Sequence, residues 1–217
     1  MWYETFLVFL DLVSLASCFN GVCINFRWCN SIVCYFYGGI IWYGLSGLGS
    51  LAGILDIVMN RWSADVTRPR KNIYLQFHYF LAWVAIIIGY PLFVTATWIT
   101  YCPSFTVHLH LLCIVLPLLV WSQKATAMVA VTEMCLLICL VSHFYISVLA
   151  GNAWCLLGAM VMASNIFFLC FSNHYALFGI HSKEAYIITS ALAYYILSRS
   201  VQTMVRFTSS SRSMCRK

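Results

Sequence analysis

Apolar residues along this chain come in long blocks rather than at alternate positions. The blocks lie near residues 3–18, 21–38, 40–59, 73–99, 105–122, 126–149, 153–172 and 184–205, with short polar breaks between them. A bilayer core about 30 Å thick takes roughly 20 apolar residues per helical crossing, close to the length of most of these blocks. Barrel strands would alternate apolar and polar positions, and a backbone in lipid otherwise satisfies its polar groups only as a helix. The pattern predicts an all-α polytopic transmembrane bundle of eight spans, one domain over 1–205, followed by a tail over 206–217. The weakest boundary lies between the second and third blocks. Residues 21–59 either cross twice with a tight turn at Gly38-Gly39, or cross once after a half-inserted segment, which gives seven spans.

Composition excludes a soluble fold. The chain is 63% hydrophobic and 8% charged, against roughly a quarter charged for an average soluble domain. Met1 to Asn20 lacks a basic start and carries Glu4 and Asp11, so it reads as a first span rather than a cleaved signal. The positive charge gathers in the segment holding Arg61, Arg68, Arg70 and Lys71, and again in the serine-rich tail with Arg206, Arg212, Arg216 and Lys217. These two clusters fall on opposite sides of the membrane when spans are counted, so the positive-inside rule leaves the orientation open. The tail reads either as a disordered topological charge or as a contact to anionic headgroups. Membrane lipid is the expected partner and nucleic acid is not. The reading leaves room for a homo-oligomer or a subunit of a membrane complex, in the endoplasmic reticulum or another internal membrane.

Charged and strongly polar side chains inside lipid cost a few kcal/mol, about 2.5–3.5 on insertion scales, and so face an interior or a partner. The candidates are Asp11, Arg27, Asp56, His78, His108, His110, Glu133, His143, Asn165, His174 and Gln202. His78, His174 and Asp56 lie near predicted span ends and read as snorkelling groups. Glu133 stands out, mid-run in VAVTEMCLLICL with no basic residue within two turns, and needs a partner on another helix. His108 and His110, two apart, point to nearly opposite sides of a helix and make a poor metal pair. The eleven cysteines form no C-x-x-C pair and read as small hydrophobes, so neither a metal nor a cofactor is expected. Gly44, Gly47, Gly49 and Gly53 mark a helix face where another backbone can come close.

The segment GAMVMASNIFFLCFSNHYALFGIHSKEAYIITSALAYYILSRSV resembles the C-terminal half of the YhhN family, which includes the animal lysoplasmalogenases. The matching elements are Gly158-Ala159, Ser164-Asn165, His174-Tyr175 and Thr189 to Ser200. LSGLGSLAGIL is similar to the family's small-residue helix through Ser46 and Gly49, with Ser50 where the family has an aspartate. YFLAWVAIIIGY resembles its next span, with Trp83 in place of a histidine, and Arg27 sits roughly where the family has a lysine. The resemblance implies an eight-helix bundle with a membrane-open cavity and hydrolysis of the vinyl ether of lysoplasmalogens to an aldehyde and a glycerophospho-alcohol. That reaction begins with protonation at carbon, so it needs an acid, and serine cannot supply one. With Ser50 and Asn165 at the two matching positions, the acid must be Asp56 or Glu133, or the protein holds lipid without turning it over. Ser50, Glu133 and Asn165 are accordingly the implied catalytic set, with Arg27 beside a phosphate and Trp83 against the substrate.

YGGIIWYGLS, VHLHLLCIVLP and AGNAW also resemble the androgen-inducible family of membrane fatty-ester hydrolases, which uses a threonine and a histidine. That likeness implies Ser46 as nucleophile and His110 as base. A catalytically inactive lipid-binding or structural subunit and a small transporter are the remaining expectations.

Overall fold

The computed structural model describes residues 2–29, 36–60, 73–102, 109–120, 125–170, 176–177 and 180–215. Helix α1 spans Trp2–Cys29 and α2 spans Phe36–Asn60. Helix α3 (Ile73–Val84), a π-helical turn at Ala85–Gly89 and α4 (Tyr90–Tyr101) follow one another without a break and form one rod. Helices α5 (Leu112–Leu119), α6 (Ala125–Leu149), α7 (Ala153–Cys170) and α8 (Ser182–Cys215) complete the bundle. A minimal hairpin pairs Ala176 with His181 and Leu177 with Ile180 ahead of α8.

Among the described residues these elements make seven helical rods. The expected break between residues 18 and 21 falls inside α1, and the expected turn at Gly38-Gly39 falls inside α2. The physical reason is close packing. A Cβ on Gly21 would stand 2.6 Å from the Tyr43 ring, one on Gly38 would stand 2.7 Å from Leu92 Cβ, and one on Gly39 would stand 2.4 Å from Asn25 Oδ1. These glycines thin the helices where neighbours cross instead of turning the chain. At the far end, α8 continues through Cys215, so the helix itself does not stop at the 205/206 boundary.

The rods close into a ring. Helix α1 packs between α2 and α8, α2 lies on the α3–α4 rod, α6 sits against α4, α5 and α7, and α7 returns to α8. The α3–α4 rod is the most enclosed of the apolar helices, whereas α1 and α6 lie at the periphery. The π turn has a local cause. Pro91 has no N–H to donate back to the preceding turn, which frees a carbonyl at this point and allows the wider turn just before it. Gly89, at its end, lies against Trp42, where a Cβ would come within 2.3 Å of Cδ1. Trp42 anchors an aromatic core, 5.4 Å from Phe93, 5.5 Å from Tyr43, 5.7 Å from Tyr194 and 6.0 Å from Tyr90 between ring centroids.

Surface and interior are inverted relative to a soluble fold. Phe19, Phe26, Leu119 and Val148 are each about two-thirds exposed, while Asp11, Asp56, His78, His143, Asn165 and Glu184 are buried. Four helical stretches, Tyr3–Phe26, Gly38–Met59, Ile73–Tyr101 and Ala127–Leu149, are long and apolar enough to cross a bilayer. Leu109–Leu119 and Ala153–Phe168 are shorter apolar helices.

Candidate functional site

A polar chamber lies between the first half of α1, the second half of α2, the start of α3 and the start of α8. It consists of two adjoining hollows, partly open to the outside, each with a cavity volume of about 20 Å³. Asp11, His78 and Ile187 line both hollows. Ser14, Ser46, Ser50, Ser190 and Tyr194 complete the polar wall of the first, and Asp56 and Gly53 belong to the second.

The helices place these groups by simple periodicity. Ser46, Gly49, Ser50, Gly53 and Asp56 recur at three- and four-residue steps, so one stripe of α2 faces the chamber. The stripe is small enough for both neighbours to approach. Gly47 lies against Cys18 of α1, Gly49 against Leu81 of α3, and Gly53 against both sides of the chamber. A Cβ on Gly53 would stand 2.7 Å from Asp11 Oδ2 and 3.0 Å from His78 Nδ1, so this glycine is what lets the carboxyl and the imidazole share one corner. Gly44, by contrast, has open space around it.

The hydrogen bonds fix the wall. His78 Nδ1–H donates to the Gly49 carbonyl at 2.7 Å, so any proton exchange by this ring runs through Nε2. Ser50 Oγ donates to Ser14 Oγ at 2.9 Å. The buried Ser46 hydroxyl lies beside Tyr194 without a well-formed hydrogen bond. Asn165 of α7 stands one bond behind the wall. Its amide donates to Ser190 Oγ at 2.7 Å, to Thr189 Oγ1 at 3.1 Å and to the Tyr186 carbonyl at 3.1 Å. The Tyr3 hydroxyl donates to Glu184 Oε1, tying the starts of α1 and α8 together beside the chamber.

The structure sorts the sequence candidates. Ser50 lines the chamber, and Asn165 braces its wall through Ser190. Asp56 and His78 do not snorkel from span ends but line the chamber, as Asp11 does. Glu133 goes elsewhere. It lies on the exposed side of α6, apart from Ser50 and Asn165. Trp83 is partly buried against the aromatic and aliphatic core rather than in the chamber. Arg27 is sixteen residues beyond Asp11 on the same helix, about 24 Å of helix rise, so it belongs to the opposite end of the bundle. The side chain of Arg27, and His108 and His174, lie outside the described residues. Ser46 and His110 are not brought together, because Ser46 faces the chamber and His110 meets Ser142 of α6. Gln202 accepts from Arg199 on the exposed side of α8.

A second buried polar network joins α4, α6, α7 and α8. His143, fully enclosed, pairs through Nδ1 with the Tyr90 hydroxyl at 3.0 Å and through Nε2 with Cys155 Sγ at 3.2 Å. Asn152 donates to Tyr101 at 2.9 Å and to Thr203 at 2.7 Å, while its Oδ1 accepts the Cys155 N–H at 3.1 Å and caps α7. The network reads as polar cross-bracing between helices. Among the described residues no group of three or more His, Cys, Asp or Glu side chains is arranged to hold a metal ion.

Comparison with family models, with curated proteins and with solved structures gives no match for this chain.

Proposed function

We propose that this protein is a multipass membrane lipid hydrolase of the lysoplasmalogenase kind, built on seven helical rods in place of eight spans, with Asp11 and Asp56 as its reacting carboxyls. The observation that carries the reading is convergence. Ser50, which stands where the family has an aspartate, and Asn165, of the Ser-Asn motif, lie at the walls of two adjoining hollows into which two carboxyls and an imidazole are gathered. Vinyl ether hydrolysis needs a proton delivered to carbon and a base that activates water for attack on the resulting cation. One Asp of the pair serves each step, beside the His78 ring, which is held through Nδ1. Glu133 plays no part in this chemistry, since it faces outward from α6. The site belongs to an internal membrane such as the endoplasmic reticulum, where its substrate would enter sideways from the lipid.

The test is aldehyde release from a 1-alkenyl lysophospholipid by the purified full-length protein in lipid nanodiscs. Wild type should turn over, and Asp11→Asn and Asp56→Asn should each lower the rate by about 100-fold or more. Binding of the lysolipid with no aldehyde from wild type would replace this reading by that of an inactive lipid-binding subunit. Undiminished turnover in both variants would remove the carboxyls from the reaction.

A further inference from the structure

We propose that Ser142 and His110 form a second catalytic site, at the end of the bundle opposite the chamber, that hydrolyses carboxylic esters of membrane lipids. Three elements build it. Trp98 comes from the last turn of α4, His110 from the 3₁₀ turn that leads into α5, and Ser142 from α6. His110 Nε2 lies 2.6 Å from Ser142 Oγ, and Trp98 Nε1 lies 2.7 Å from the same oxygen.

The chemistry of the three groups sets the direction of the protons. An indole N–H can only donate, so Ser142 Oγ accepts from Trp98. In the tautomer that carries its hydrogen on Nδ1, His110 accepts the hydroxyl's own proton at Nε2. This is the arrangement of a hydroxyl nucleophile with its general base in hydrogen-bond reach. The indole N–H holds the oxygen in place and stabilises the charge it gains as the proton leaves, so Trp98 is a positioning residue.

Location selects the substrate. The α3–α4 rod runs from the chamber to this site, and His78 and Trp98 are twenty residues apart on it, about 30 Å of rise. The 25 residues of α6 extend about 38 Å, roughly 8 Å more than the hydrocarbon core, and Ser142 lies about 10 Å from the C-terminal end. With the helix centred in the bilayer, Ser142 sits about 6 Å inside the boundary where lipid ester groups meet the acyl chains. Ser142 and His110 are half-buried, and the surrounding Leu109, Leu112, Ile138, Val141 and Tyr145 are exposed apolar side chains. Acyl chains fit such a rim, and the group a serine oxygen attacks at that depth is an acyl carbonyl.

The steps balance without a further reactant than water. Ser142 Oγ bonds to the acyl carbon as its proton passes to His110 Nε2. The carbon–alkoxy bond breaks, and the leaving alcohol takes that proton. Water then attacks the acyl-serine, giving a proton to Nε2, and the acyl–Oγ bond breaks to release the fatty acid and restore the serine.

An alkyl fluorophosphonate is the probe, applied to the full-length protein in lipid nanodiscs with the adduct mapped by peptide mass spectrometry. Phosphonylation of Ser142 is expected. Ser142→Ala should lose the adduct, His110→Ala should form it at least about 100-fold more slowly, and Ser164→Ala, on the exposed side of α7, should label as wild type does. The mapping of the wild-type adduct is decisive whether or not the variants fold. No adduct on wild type, or an adduct on Ser46 or Ser50 instead of Ser142, overturns the proposal. Neither result bears on aldehyde release from the chamber.

Discussion

At the scale of the residue, the chamber depends on what Gly53 lacks. A methyl group there would sit 2.7 Å from Asp11 Oδ2 and 3.0 Å from His78 Nδ1, and neither neighbour is on a loose chain end. Gly53→Ala should therefore push the carboxyl and the imidazole apart. The expected outcome is a loss of aldehyde release of at least about tenfold, with overpacking that costs about 1–3 kcal/mol in thermal or denaturant stability. Asn152 offers a test away from the chamber. Its amide bonds to Tyr101 and Thr203 and caps the start of α7. Asn152→Ala should lower stability by about 1–3 kcal/mol through the groups left unpaired, leaving chamber turnover per folded molecule unchanged. Individual polar residues were only partly legible in the sequence. Asp11, Asp56 and His78 are visible as polar groups in apolar runs, but linear position put Asp56 and His78 near span ends, where snorkelling looked natural. Their burial follows from how α2, α3 and α8 converge, which spacing along one chain does not reveal. Glu133 was conspicuous for its cost in lipid, yet α6 is apolar on nearly every side, so no periodicity marked which face it takes.

At the scale of the element, helices were legible and their joints were not. Long apolar blocks predict the rods, but the sequence reading places a turn at Gly38-Gly39, where glycine serves close approach, as Gly21 does inside α1. The two roles look alike in one sequence, because both follow from the missing side chain. Hydrogen exchange distinguishes them. Amides from Ser17 to Cys23 should exchange slowly, as in mid-helix, whereas a turn between two spans would exchange fast. The π turn ahead of Pro91 is a second joint with a defined neighbour. Gly89→Ala would drive a methyl to 2.3 Å from the enclosed Trp42 ring. It should cost about 1–3 kcal/mol and change the near-ultraviolet signature of the aromatic core, while an exposed change such as Leu137→Ala should do neither to that extent.

At the scale of the whole molecule, polarity is turned inward and apolar surface outward, and that inversion was readable from composition before any element was placed. A charged or strongly polar side chain facing hydrocarbon costs about 2.5–3.5 kcal/mol on insertion scales, whereas one in a wet interior does not. Most of the polar candidates among the described residues obey this, and Ser50 and Glu133 mark the two extremes: one lines the chamber and the other lies on the outer side of α6. The ring of rods is what makes the chamber, since α1 and α8 from opposite ends of the chain close it against α2 and α3. The most direct measurement is reactivity of Ser50→Cys and Glu133→Cys toward a small, water-soluble methanethiosulfonate in bilayer-embedded protein, resolved by peptide mass spectrometry against the eleven native cysteines. A wet interior chamber predicts modification at position 50 and protection by lipid at position 133. Modification at 133 with none at 50 would contradict it.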